Sequence, residues 1–138
     1  MAIKVVQSFN IPQKVKQITQ EASLRLEKAM AVAANEIVIR TERGIGIDGT
    51  GFKGYSKSYE VKKRESGRKT SPPDLTWTGN MLRAIHTESR KESDTRFVTA
   101  ITIVGGEADK AEGNQKKRPF FGLSDKQIET IKRKVKGE

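Results

Sequence analysis

The first third of the chain carries the longest periodic pattern of hydrophobic residues. Apolar residues recur there at steps of three and four, which places them on one stripe of an α-helix: Val15, Ile18, Ala22, Leu26, Ala29, Ala33 and Ile37. The pattern predicts a helix from about Pro12 to about Glu42, which at 1.5 Å per residue would be about 45 Å long. A helix of that length exceeds the core of a small domain and favours packing against another subunit, unless it breaks near Ala33 or Asn35.

The rest of the chain predicts a small antiparallel sheet and a C-terminal helix. The β-branched run Arg96–Val104 is bounded by two glycines and is typical of a strand. Together with Arg83–Ser89 it predicts a hairpin, followed by the polar connector GGEADKAEGNQKKR. Ser124 and Gln127 have the spacing of a capping box. After them one amphipathic stripe follows: Ile128, Ile131 and Val135. The fold class is therefore α+β, in a single domain spanning residues 1–138.

A glycine-rich stretch after the first helix, GIGIDG at residues 44–49, matches the pattern G-x-G-x-x-G. In a dinucleotide fold these glycines follow a strand and open a helix, whose N-terminus binds the pyrophosphate. Here they follow a helix, and no apolar-periodic helix comes directly after them. The stretch is instead interpreted as a helix-exit loop in which Gly44 takes the left-handed conformation. We expect a mobile loop over about 44–74, with a short helical turn around Tyr55 to Arg64.

Composition narrows the class of protein. The chain has 138 residues, of which 34% are hydrophobic and 32% charged, so the core is small or completed by partners. No run approaches the ~20 apolar residues that span a bilayer, and residues 1–10 lack the apolar centre of a signal peptide. These features predict a protein made in the cytoplasm with no membrane contact. There is no cysteine and one histidine, which excludes disulfides and thiol nucleophiles and disfavours a zinc site.

The net charge of +10 is concentrated in two segments. Residues 53–69 hold seven basic and two acidic residues, and residues 114–138 hold eight basic and three acidic ones. The first group of cations is a candidate contact for passing DNA or for an acidic partner: Lys53, Lys57, Lys62, Lys63, Arg64, Arg68 and Lys69. Few aromatic residues lie between them, which argues against base stacking. A solvated lysine-rich face is the simpler alternative.

Three phrases in the last two-thirds of the chain resemble one family. KRPFFGLSDKQIETIKRKV resembles the C-terminal signature of the phage virion-morphogenesis proteins, which are tail-completion and head-tail joining proteins of tailed bacteriophages. GTGFKGYSKSYEVKK and DLTWTGNMLRAI resemble two further family segments in the same order. The positions that match are Tyr55, Ser56, Leu75, Thr78, Gly79, Leu82, Ile85, Arg118, Pro119, Phe120, Phe121, Gly122, Leu123 and Ser124.

The resemblance implies a structural virion protein without catalysis or cofactor, located at the neck or tail end. It implies a homo-oligomeric ring, a hexamer, that connects the tail to the head and contacts neck, connector and tail-tube proteins. Neck adaptor, stopper and tail terminator all remain open. We expect the subunit and partner interface to include Arg118, Pro119, Phe120, Phe121, Leu123, Tyr55 and Trp77.

The residue types suit such an interface. If the RPFFGLS phrase is extended, Phe120 and Phe121 point to opposite sides, so that one enters the core and the other meets a neighbour. Arg118 could bind a carboxylate across the interface. The alternative is that the phrase is only a strand-to-helix corner of a monomer.

Catalytic chemistry has little support in the sequence. His86 lies on the first strand of the expected hairpin with no partner at a readable spacing, and a lone tryptophan such as Trp77 more often anchors a core or an interface. We therefore expect no enzyme and no metal site. The second hypothesis is a small basic, non-enzymatic nucleic-acid-binding protein, which would lose affinity for duplex DNA steeply with added salt.

Overall fold

The computed structural model describes residues 2–10, 16–68, 70, 79–93 and 96–137. The elements follow in the order β1 (Ala2–Asn10), α1 (Lys16–Glu42), α2 (Lys57–Glu65), α3 (Asn80–Arg83), β2 (His86–Ser93), β3 (Arg96–Val104), α4 (Gly106–Lys117) and α5 (Asp125–Val135). Five helices and three strands in this part of the chain confirm the α+β class, with a long N-terminal helix and a C-terminal helix.

The sheet has three antiparallel strands in the order β1-β3-β2, with β3 in the centre. β1 pairs along its full length with β3, from Ala2 opposite Val104 to Asn10 opposite Arg96. This strand was not expected from the sequence, although Ile3 and Val5 are half-buried and alternate with the exposed Lys4. The alternation is too short to predict a strand by itself, and its pairing partner lies at the far end of the chain.

The predicted hairpin is confirmed, but its first strand lies further along the chain. β2 begins at His86 because α3 occupies residues 80–83, and it continues through the polar RKES sequence to Ser93. Every residue of β2 is exposed, whereas residues 97–103 of β3 are all buried. The polar strand therefore forms an edge, and the apolar strand forms the centre of the sheet.

The core lies between the inner face of β3 and one stripe of α1. Phe97, Ile101 and Ile103 supply the sheet side of this core. On α1 the predicted stripe is confirmed at Ala22, Leu26, Ala33 and Ile37, none of which is more than 3% exposed. Ala29 is partly buried against the same core, while Val15 lies outside the described residues and the side chain of Ile18 is not described. α1 shows no break over its 27 residues, which corresponds to about 40 Å.

The segment expected to be a polar connector is a helix, α4. Gly105, with φ +75°, precedes it, and Ala108 and Ala111 are its buried residues. Glu107 and Asp109 in its first turn and two lysines in its last turn complement the helix dipole. The prediction was wrong because two alanines make too small an apolar stripe to show in the pattern of hydrophobic residues.

The capping prediction for α5 is confirmed. Ser124 Oγ accepts from the Gln127 backbone N–H at 3.2 Å, and the Ser124 N–H donates to Gln127 Oε1 at 2.9 Å. The same Gln127 oxygen accepts from Arg40 Nη1 at 2.7 Å, at the C-terminal end of α1. At its other end α5 is followed by Gly137, where an added Cβ would lie 3.3 Å from Arg25 Nη1. α5 therefore lies antiparallel to α1.

Candidate interaction surfaces

The glycine-rich loop is a helix exit, as predicted, and its amide groups are already used. Gly44 has φ +75° and donates to Thr41 O at 2.9 Å. Gly46 N donates to Thr50 O at 2.9 Å, and Ile47 N donates to Pro119 O at 3.1 Å. Hydrogen bonds within the loop and to the RPFFGLS corner thus occupy the backbone N–H groups that a phosphate would need. The loop is bound to the rest of the fold over these residues, and the predicted turn that follows it is confirmed as α2.

The RPFFGLS corner belongs to the core of the subunit. Phe120 is 0% exposed and Phe121 is 4% exposed, so the expectation that one of them would face outwards is wrong. That expectation assumed an extended backbone, whereas the two rings lie on the same side with centroids 6.0 Å apart. Gln115 holds the corner: its Oε1 accepts from Phe120 N at 3.1 Å and Phe121 N at 2.9 Å, and its Nε2 donates to Phe121 O at 3.1 Å.

Two arginines hold the corner in place: Arg118 within the corner, and Arg40 on α1. Arg118 is only 8% exposed; its Nε donates to Lys53 O at 2.6 Å and its Nη2 to Gly54 O at 2.8 Å. Its guanidinium also lies 4.8 Å from the centre of the Tyr55 ring. The predicted fork to a carboxylate is therefore replaced by a fork to backbone carbonyls of the same chain.

Arg40 is the second of these arginines, and it reaches the corner from α1. Its Nη2 donates to Phe120 O at 2.9 Å and also to Gly122 O. Burial lowers the pKa of the Arg40 guanidinium, and the nearby carboxylate of Glu36 partly opposes that shift. Arg40 thereby joins α1, the corner and α5, although nothing in the sequence pattern distinguishes it from the other arginines.

The remaining predicted interface residues have different surroundings. Pro119 is exposed, and Leu123 and Tyr55 are half-buried. Trp77 lies outside the described residues. Of this predicted set, Pro119 is therefore the described residue most open to a neighbour.

One residue of the predicted basic patch is buried inside the protein. Lys63 is 1% exposed, because its stem is buried and its Nζ contacts Tyr55, lying 3.2 Å from the hydroxyl oxygen and 4.6 Å from the ring centre. Lys53, Lys57, Lys62 and Arg64 are exposed. Arg68 is half-buried, and Lys69 lies outside the described residues. The described surface cations of this segment are therefore Lys53, which precedes α2, and Lys57, Lys62 and Arg64, which lie on it.

A second apolar stripe, not predicted from the sequence, lies on the outer face of α1. Leu24 is 56% exposed, Val32 58% and Ile39 39%. At about 100° per residue these three side chains fall within about 80° of one another, nearly opposite the core stripe. We name these three residues the outer stripe. These residues are eight and seven positions apart. That spacing is not noticed in the sequence, because the core stripe alone is enough to predict the helix.

A groove of about 550 Å³ runs between α1 and α5. Its apolar lining includes Ala29, Val32, Ala33 and Ile131, with Thr130 beside them. Its polar lining comprises Arg25, Lys28, Glu36, Lys126, Gln127 and Lys134. Val32 belongs both to the groove and to the edge of the outer stripe.

His86 is a surface residue held by its neighbours. One ring nitrogen lies 3.0 Å from Ala84 O and the other 3.2 Å from Glu88 Oε1. The Ala84 carbonyl raises the pKa of His86, burial opposes this, and the Glu88 carboxylate adds to the rise. Among the described residues no group of three or more histidine, aspartate and glutamate side chains is placed to hold a metal ion.

None of the described helices combines the length and the apolar character needed to cross a membrane. Comparisons with protein-family models, with curated proteins and with solved structures give no match for this chain. The role of the chain is therefore inferred from the surfaces described above and from the sequence phrases.

Proposed function

We propose that this chain is a structural, non-catalytic virion subunit of a tailed bacteriophage. In this proposal it assembles into a homohexameric ring at the neck or tail end and acts in tail completion, joining the tail to the head. The sequence phrases that resemble virion-morphogenesis proteins suggest this role. The observation that carries the assembly part of the proposal is the outer stripe on α1.

The outer stripe supports assembly because it leaves aliphatic side chains in water along a long, rigid element. Leu24 and Val32 each keep more than half of their surface exposed, and Ile39 more than a third. A single exposed leucine needs no explanation; three aliphatic residues that share one helix face, with Lys28 and Asn35 between them, are the surface we propose for the contact. Burial of such a surface against a neighbouring subunit would remove apolar area from water and so favour assembly.

The corner contributes to the proposed ring indirectly. Its phenylalanines are buried, so it fixes the direction of α5 and of the glycine-rich loop relative to α1. The exposed Pro119 and the cations around α2 are then carried at fixed positions on the subunit. In a ring these cations would face the channel, where they would contact DNA without reading its sequence, or they would face an acidic partner.

The test uses a phage that lacks this gene, with variants supplied in trans and lysates examined by negative-stain electron microscopy. Without the gene, and with the double variant Leu24→Glu/Ile39→Glu, we expect DNA-filled heads beside separate tails. The wild-type gene restores joined virions. Val61→Glu is the control for placing a negative charge on another helix, because Val61 is also an exposed aliphatic residue, at 41%, and does not belong to the outer stripe.

The purified proteins are compared in parallel by native mass spectrometry. Wild type and Val61→Glu are expected as closed rings, and the double variant as a monomer with an unchanged circular dichroism spectrum. Joined virions in the absence of the gene would contradict the joining role. Rings formed equally well by the double variant would contradict the role of the outer stripe.

The second candidate function is non-enzymatic binding of nucleic acid. The observation that favours it is the exposure of Lys53, Lys57, Lys62 and Arg64 around α2. This function predicts tight binding of duplex DNA by a monomer or dimer, with affinity falling steeply as salt is added. Weak DNA binding by a protein that forms rings would favour the structural role instead.

A further inference from the structure

We propose that the groove between α1 and α5 is a docking site for an amphipathic helix with acidic flanks, supplied by a partner protein. This site lies beside the outer-stripe contact between copies and shares Val32 with it, while its other lining residues on α1 and α5 are not part of that stripe. The inference rests on the shape of the groove, on its apolar lining and on the charges along its rim.

The shape of the groove fits a helix. α1 and α5 lie antiparallel and form the two walls. The lining residues of α1 run from Arg25 to Glu36, and those of α5 from Lys126 to Lys134. On α1 this span is about 16 Å, or about three helical turns. Ala29 and Ala33 are small, so a third helix could approach the first wall closely and pack its ridge between the two.

The lining of the groove calls for an apolar stripe on the ligand. Val32 and Ile131 are on opposite walls; Val32 is 58% exposed in the chain alone, whereas Ile131 is only 2% exposed. The apolar surface open to a ligand is therefore mainly that of Val32, with the half-buried Ala29 beside it. A partner helix with aliphatic side chains at i, i+3 or i+4 and i+7 would remove this surface from water, as in other helix-in-groove complexes.

The rim determines the charge of the ligand. Lys28 on α1 and Lys126 and Lys134 on α5 are exposed, and none of the three forms an ion pair within the described part of the chain. Arg25 adds a fourth cation, which pairs with Glu21 at 3.4 Å. The rim carboxylate, Glu36, already accepts from Gln127 Nε2 at 3.1 Å. The rim is therefore strongly cationic, and glutamates or aspartates on either side of the ligand's apolar stripe would complement it.

A second copy of this chain fits the rim poorly. α5 and α2 each carry four basic against two acidic residues, and α1 and α4 are balanced. None of these helices carries more acidic than basic residues, and the four-residue α3 carries one arginine and no carboxylate. A partner of opposite charge is the occupant that the observations favour.

The test measures fluorescence anisotropy of a labelled synthetic peptide with leucines at helical spacing and glutamates on both flanks. Wild-type protein is compared with Lys28→Ala/Lys134→Ala, which removes two rim cations. The matched control is Lys132→Ala/Lys136→Ala, which makes the same charge change on the opposite side of α5. We expect the rim variant to bind about tenfold more weakly and the control to change the dissociation constant by less than about twofold. Circular dichroism verifies that both variants are folded.

Further probes separate this docking site from other uses of the groove. A peptide with serine in place of leucine and one with lysine in place of glutamate are each expected to lose most of the binding. Equal weakening in both double variants, or undiminished binding of the serine peptide, would overturn the proposal in favour of general attraction to polyanions. If duplex DNA at an equal concentration of charges displaced the peptide, the groove would be a nucleic-acid site and the proposal would be wrong. Self-association that disappears only in the rim variant would assign it to a second copy.

Discussion

Replacement of Gly46 by alanine is expected to destabilise the fold through one close approach. A Cβ at this position would lie 2.9 Å from Pro119 O and 3.3 Å from Phe52 Cε1. The carbonyl cannot move away easily, because it accepts from Ile47 N at 3.1 Å and precedes the buried Phe120. The added methyl group must therefore push the glycine-rich loop away from the corner.

The magnitude follows from two opposing effects. Overpacking of a tight site costs about 1–3 kcal/mol. Alanine also restricts the unfolded chain, which returns about 0.4–1 kcal/mol where the native backbone suits it. Gly46 is not among the glycines with positive φ, so this second effect applies. The free energy of unfolding should fall by about 1–2 kcal/mol, and the melting temperature by about 3–10 °C for a chain of this size.

The assay is urea unfolding followed by circular dichroism, with Gly54→Ala as the matched control. Gly54 lies in the same loop region and also lacks a positive φ, and a Cβ added to it would meet no heavy atom within 4 Å. Gly54→Ala should leave stability unchanged or raise it by up to about 1 kcal/mol. Equal stability of the two variants would refute the reasoning, because the contact with Pro119 would then have no energetic consequence.

Three further predictions concern single side chains. Gln115→Met removes the acceptor of two buried amides and should lower the free energy of unfolding by about 2–4 kcal/mol in thermal or urea unfolding; an unchanged value would mean that water replaces the side chain. Ser124→Ala should cost about 1 kcal/mol by loss of the N-cap, measured in the same way, and no loss would contradict the capping role. Proton NMR of His86 should give a pKa above the usual value, and Glu88→Gln should reduce that shift. Because the pKa of His86 is raised in the folded state, its contribution to stability is complete below the unfolded-state pKa and is lost as pH rises through the folded-state pKa. A measured pKa at or below the ordinary value for histidine would contradict the geometry.

The elements that the sequence predicted are those whose evidence is local. The stripe from Ala22 to Ile37 has the helical period, the run at residues 97–103 is β-branched, and Ser124 with Gln127 forms a capping box. Each pattern contains enough information within about ten to twenty residues to specify its own conformation. Together these three elements are sufficient to predict the α+β class.

The elements that were not predicted depend on contacts between distant parts of the chain. β1 has only a short alternation, and its pairing with β3 could not be inferred from ten residues. The burial of Lys63 contradicts the usual behaviour of lysine, and it becomes understandable only once Tyr55 is seen beside its Nζ. The groove requires two helices at opposite ends of the sequence, so no pattern within either helix could have predicted it.

The pairing of β1 with β3 has a consequence for synthesis of the protein on the ribosome. Residue 2 finds its partner only when residue 104 has emerged, so the centre of the sheet cannot be completed until most of the chain exists. At about 5–20 residues per second this delay is on the order of 5–20 s. Until β3 emerges, the hydrophobic stripe of α1 has no sheet to cover it. A circular permutation that places β1 after α5 would shorten the separation between β1 and β3 along the chain, but α1 would still wait for β3 as long as before.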